Sequence, residues 1–203
     1  MSTISVVRRN GLVAIAADTL TKIGSSDLAA RYKRRHSKLI PVGDGFLGFV
    51  GAGLWQQVLA EYFAGLTEAP ALDSPAAVYR AMCAMHRSLK SAQFLRETSD
   101  DDFEFEETGL TALVANRSGI FGVFGDRSVL EFSRFYAFGS GNRFALGAMH
   151  RAWSAGADAE KTARAGVEAA AEFDENTALP LEVRVLRLRI PEPTADNGRP
   201  AIA

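Results

Sequence analysis

The chain carries one cysteine, three histidines and no long apolar run. Lone Cys83 can neither close an internal disulfide nor build a cysteine zinc site. Within AAVYRAMCAMHRSLK it shares the spacing of Ala77, Ala81 and Ala84, which predicts a small core residue on a packed helix. No stretch approaches the roughly 20 apolar residues of a membrane helix. Arg8 and Arg9 interrupt the N-terminal segment where the apolar part of a signal peptide belongs. A cytoplasmic location without membrane contact is therefore expected. The formal net charge of −1 gives no global pull toward nucleic acid or anionic lipid. G-x-S-x-G, the Walker phosphate loop, G-x-G-x-x-G after a strand and H-E-x-x-H on a helix are all missing. His86 and His150 fall in amphipathic helical patterns and His36 lies among arginines and lysines, so no metal or other cofactor is called for.

What is present suits one folded domain. The 203 residues are 47% hydrophobic and 23% charged, enough to bury a real core. Residues 1–190 read as a single domain and 191–203 as a flexible polar tail. TISVVRR and LVAIAAD flank Asn10-Gly11, a dipeptide that tolerates positive φ and predicts a tight hairpin. The second run is continuously apolar, as in a strand covered on both faces. A polar, basic stretch from Lys22 to Lys38 follows, then two short strands around Gly43-Asp44-Gly45 and a glycine-rich turn. Leu54 to Ala64 reads as a helix burying Leu54, Val58, Leu59 and Tyr62. Ser74-Pro75 starts a second, running to about Phe94.

LTALVAN and GIFGVFG predict strands turning at Arg117-Ser118, and VLEFSRFYAFGSG continues the strand-rich middle. Two alanine-rich helices, Asn142 to Ser154 and Asp158 to Phe173, break at Gly156, and LEVRVLRLRI reads as a long half-exposed strand. Strands, two helices, strands, two helices and a strand argue for packed layers, not for a repeating βαβ wheel. The predicted class is α+β, a four-layer αββα sandwich of two antiparallel sheets with a helix pair outside each.

The start of the chain offers chemistry. Methionine before a small residue is readily trimmed, which would leave Ser2 with a free α-amine. Such an amine has an unperturbed pKa of about 7.7–8.0 and can take a proton near neutral pH. One residue then supplies both nucleophile and base.

The segment S-T-I-S-V-V-R-R-N-G-L-V-A-I-A-A-D resembles the opening of HslV-type bacterial proteasome subunits, N-terminal-nucleophile hydrolases that begin with two threonines, an isoleucine, a strand and Arg-Arg-Asn-Gly. That family places its catalytic aspartate sixteen residues after the nucleophile, the separation of Ser2 from Asp18, whereas Thr3 is fifteen away. H-S-K-L-I resembles the strand that carries the family's lysine and points to Lys38. F-L-G-F-V-G-A-G resembles the A-G-F-A-G turn. The resemblance assigns the oxyanion amide to Gly48 and the floor of the specificity pocket to Phe46. G-S-G-N-R-F-A resembles the family's G-S-G-G-x-x-A, matching Ser140 to the serine that bonds the terminal amine; a helix cap is its simpler role. A-A-E-F-D-E-N-T matches a supporting acid loosely at Glu172, with Asp174 as competitor. Lys22 falls where the family has a threonine beside the substrate.

The four-layer sandwich is thus implied a second time, along with a self-compartmentalised peptidase acting on peptides or unfolded proteins. Its subunits would form homo-oligomeric double rings of six or seven, with room for an AAA+ ATPase partner. A catalytically silent ring subunit or binding chamber is the alternative. In RETSDDDFEFEE, Asp102, Glu104 and Glu106 alternate with Phe103 and Phe105, which reads either as a strand with one charged face lining the chamber or as a solvated outward loop. This acidic run makes the chain resemble most the betaproteobacterial proteasome homologues, a branch of the HslV lineage.

Overall fold

Asn10 and Gly11 adopt φ of 51° and 73°, the double positive-φ turn their sequence predicts. They join β1 (Thr3–Arg9) to β2 (Leu12–Asp18), with Val6 opposite Ile15 and Arg9 opposite Leu12. The computed structural model describes residues 2–34, 36–92 and 105–189. In chain order there follow β3 (Thr21–Ile23), β4 (Ser26–Leu28), a 3-10 turn at Ala30–Tyr32, β5 (Leu39–Val42), β6 (Gly45–Val50), α1 (Leu54–Ala64) and α2 (Pro75–Ala92). Then come β7 (Thr111–Ala115), β8 (Ile120–Val123), β9 (Val129–Glu131), β10 (Phe135–Gly139), α3 (Asn142–Ser154), α4 (Ala159–Phe173) and β11 (Leu181–Arg187).

Two antiparallel sheets stack, one ordered β10-β1-β2-β11 and the other β5-β6-β7-β8-β9; β3 and β4 form a separate hairpin. Side-chain alternation along β1 and β2 builds two cores at once. Ile4, Val6, Val13, Ile15 and Ala17 point between the sheets, against Leu39, Leu113, Ala115 and Ile120. Val7, Ala14 and Ala16 point outward to Ala145, Met149, Ala163, Val167 and Ala170 of the α3–α4 pair. The small residues on this face let α4 lie close to the sheet. A third core packs Val78, Met82, Met85 and Leu89 of α2 and Leu59 of α1 on Leu47, Phe49, Val114 and Phe121. Each such side chain contributes about 1.5–3 kcal/mol on burial, so the αββα layering follows from these three apolar faces.

The details depart from expectation in several places. The basic stretch contains a short hairpin, too brief and too exposed to leave a period-two pattern. VLEFSRFYAFG splits between sheets, β9 closing one and β10 the other, with Phe132 stacked on Tyr136 (centroids 4.5 Å apart) at the crossing. Leu54 is exposed and Trp55 packs in its place. Cys83 is only half-buried, because the buried stripe of α2 runs through Val78, Met82, Met85, His86 and Leu89. The residue capping α3 is Gly141, not Ser140.

The acidic run also reads differently where it is described. Glu106 lies outside any strand and pairs with Lys90 (2.9 Å) on α2. His86 approaches the same carboxylate at 3.5 Å, and its Nδ1 is 3.2 Å from the Arg127 guanidinium. Asp102 and Glu104 lie outside the described residues.

Candidate functional site

Ser2 enters the fold immediately before β1 and is almost fully buried. Glycine is required beside it: Gly139 on the paired strand has φ of 112°, and a Cβ there would strike the Ser2 carbonyl oxygen. Next to it stands a buried ion pair. Asp18, wholly inaccessible at the end of β2, receives Lys38 Nζ on both oxygens, at 2.9 and 2.8 Å. Its Oδ1 also accepts from Thr3 N (3.0 Å) and its Oδ2 from Leu20 N (2.9 Å). Burying a carboxylate is costly unless its lone pairs are answered; here four contacts answer them.

Burial holds the Lys38 ammonium below the ordinary lysine value, against the opposing pull of the Asp18 charge and hydrogen bond. Lys33 pushes it further down. Lys33 itself donates to Thr19 O and Thr21 Oγ1, both at 2.7 Å, and is lowered by burial with Asp18 opposing. Sequence reasoning missed this second lysine, one of several in a basic stretch with nothing local to single it out.

Thr3 faces the other way. Its Oγ1 lies 2.7 Å from Thr177 Oγ1, and Thr177 donates to Asp174 Oδ2 at 2.6 Å. A hydroxyl has one proton, so Thr3 is the donor to Thr177. Ser140 Oγ donates to the same Asp174 oxygen at 2.7 Å. Asp174, the cap just past the end of α4, is therefore the acid that meets Ser140, whereas Glu172 in the last helical turn is exposed. Gly141 seals this cluster: a Cβ there would come within 2.5 Å of Thr3 Oγ1.

A cavity of about 100 Å³ opens at Ser2 and Lys38, and Lys22, Phe49, His36, Gln56 and the turn Gly51–Gly53 help to line it. Gly48 and Phe46 do not line it. Gly48 is paired on both sides in mid-β6, opposite Leu39 and Leu113, and a Cβ would meet Ile4 Cγ2 at 2.9 Å in the inter-sheet core. Phe46 packs on that same core beneath the Arg184 guanidinium. The structure thus brings together Ser2, Asp18, Lys38 and Lys22, places Ser140 with Asp174 across β1, and leaves Gly48, Phe46 and Glu172 apart. Among the described residues no group of three or more His, Cys, Asp or Glu could hold a metal ion.

Two antiparallel sheets between helix pairs, with the first strand opening at a buried aspartate–lysine pair, define a protein of the proteasome-like class. Structures of Thiobacillus denitrificans BPH, one of them in complex with epoxomicin, match it at a TM-score of 0.86. Sequence identity is 44%, over 92% of this chain and 98% of that one. The chain belongs to this BPH family. Eukaryotic HslV from Trypanosoma brucei matches at a TM-score of 0.62 with 22% identity, over 91% of this chain and 99% of that one, and so speaks for the fold alone. No protein-family model matches the sequence, and no curated protein does.

Proposed function

We propose that the chain is a subunit of a self-compartmentalising peptidase, with Ser2 as N-terminal nucleophile once Met1 is removed. The observation that carries this reading is the division of labour between the first two hydroxyls. Ser2 lines the cavity with Lys38, whereas the Thr3 hydroxyl is committed to Thr177 behind the strand.

In the proposed reaction the freed Ser2 amine accepts the Oγ proton as Oγ attacks the carbonyl carbon of a peptide bond. The Lys38 ammonium, kept charged by Asp18, favours the neutral amine and the developing alkoxide through its field. Collapse of the tetrahedral adduct breaks the C–N bond, the amine returns the proton to the leaving nitrogen, and an ester to Ser2 remains. Water, deprotonated by the same amine, then hydrolyses that ester and regenerates the hydroxyl. Because Gly51, Ala52 and Gly53 line the cavity, we assign the oxyanion donor to the amides of that turn instead of to Gly48. Loss of one such donor typically costs about 2.7–4 kcal/mol of transition-state stabilisation.

The T. denitrificans relative was solved in complex with epoxomicin, which makes that compound a natural first probe. A peptide strand would add to the edge of β3 near Lys22. A double ring of six or seven subunits, a cytoplasmic setting and an AAA+ partner complete the proposal. Incubation with an electrophile selective for N-terminal hydroxyl nucleophiles, followed by peptide mapping, tests it. One adduct on Ser2 is expected. A retained Met1 with no N-terminal adduct would favour the catalytically silent ring subunit.

A further inference from the structure

Resting on that reading, which puts the substrate side chain preceding the scissile bond in the cavity beside Ser2, we infer that this cavity selects neutral or acidic side chains and rejects lysine and arginine. A volume of about 100 Å³ is well below the roughly 300–1,000 Å³ of small-molecule sites. It suits one side chain, and its contact with Ser2 puts that side chain next to the reacting carbonyl.

The chemistry of the wall decides what enters. Among the described residues that line it there is no carboxylate, whereas Lys22, Lys38 and His36 all face it. Asp18 sits behind Lys38 with both oxygens engaged. A lysine or arginine tip would therefore leave water for a wall that already carries two ammonium groups and offers no anion, a costly exchange. An acidic tip meets Lys22, whose own partner Asp27 is a distant 3.8 Å away and more exposed. A neutral amide meets Gln56, whose side chain is held in place by a 2.6 Å hydrogen bond to Ser37 O. Leu20 and Phe49 supply the apolar remainder. His36 and Gln56 thus become specificity-determining residues. Because His36 is exposed and lies between strands, it can be exchanged without disturbing a core.

The test uses four peptide electrophiles identical except at the residue that fills the cavity: glycine, glutamine, glutamate or lysine. The rate of adduct formation on Ser2 is followed by intact mass. The glutamine and glutamate compounds should react faster than the glycine one, and the lysine compound about tenfold or more slower than the glutamine one. His36→Glu, which places a carboxylate in the wall, should raise the lysine rate relative to the glutamate rate by about tenfold. A lysine compound that reacts as fast as the glutamine compound overturns the specificity while leaving the peptidase reading intact. If even the glycine compound gives no adduct, the peptidase reading fails and the specificity falls with it.

Discussion

Two clusters in this molecule are built from the same ingredients, a carboxylate and a lysine beside a helix or strand end, yet they differ in what surrounds them. Asp18 is wholly inaccessible and answers Lys38 with both oxygens, while Thr3 N and Leu20 N complete its set. Glu106 is about a third exposed, shares Lys90 with solvent and meets His86 only at 3.5 Å. Burial and the Arg127 guanidinium hold His86 below the usual histidine value, with Glu106 pulling the other way. A charge pair that is buried and fully bonded is expensive to break, because the surviving partner stays in low dielectric. A pair that is exposed can be broken almost freely, since water replaces the partner. The comparison separates a centre that organises the start of β1 from a clasp that merely joins a loop to α2.

The largest effect should come from Lys38→Ala, which leaves Asp18 buried without its cation. Thermal or denaturant unfolding should show a loss of about 3–5 kcal/mol, and peptide hydrolysis should fall with it. Unchanged hydrolysis would remove Lys38 from the mechanism. Gly139→Ala comes next, since it forces a side chain to φ of 112° against the Ser2 carbonyl. A cost of about 1–3 kcal/mol is expected for such strain, together with slower labelling of Ser2. Behind the strand, Asp174→Asn weakens two charge-assisted hydrogen bonds, from Ser140 and Thr177, and should cost about 1–3 kcal/mol. Glu172→Gln should leave the melting temperature unchanged. Glu106→Gln should likewise change neither melting nor labelling; a large loss there would erase the contrast between the two clusters.

The pH dependence sharpens the same contrast. Lys38 has a folded pKa below its unfolded value, so between the two values the unfolded chain binds the extra proton. Stability contributed by this residue therefore rises with pH across that window, and Lys38→Met abolishes the slope. Subtracting the variant's stability curve from that of the parent should give a difference that climbs in the alkaline range. A flat or falling difference would mean that burial does not dominate the Lys38 environment.

Much of the layering was legible because its causes are local. Asn10-Gly11 fixes a hairpin, LVAIAAD marks a strand covered on both faces, and Ser74-Pro75 starts a helix whose Ser74 hydroxyl accepts from Ala77 N. Asp18 meets the start of β1 because β1 and β2 form one hairpin, which brings Ile4 opposite Ala17 and Thr3 N onto Asp18 Oδ1. What was not legible depended on where an element ends. F-L-G-F-V-G-A-G holds three glycines, and only the extent of β6 tells that Gly48 is inside the strand while Gly51 and Gly53 are in the turn beyond it. Glu172 and Asp174 are two residues apart, and the end of α4 at Phe173 sends one to solvent and turns the other back to Ser140. Cavity walls such as His36 and Gln56 come from separate elements, so no local pattern joins them.

The central claim is that the hydroxyl of Ser2, and not that of Thr3, attacks the substrate. Its most direct test is peptide turnover by Ser2→Ala and Thr3→Val, measured side by side with the parent protein after mass spectrometry has established removal of Met1 from all three. The account predicts that Ser2→Ala loses turnover while keeping its fold. Thr3→Val gives up one buried hydrogen bond to Thr177, at a cost of about 1 kcal/mol, and should retain turnover. Full activity in Ser2→Ala, or its loss in Thr3→Val alone, would contradict the account.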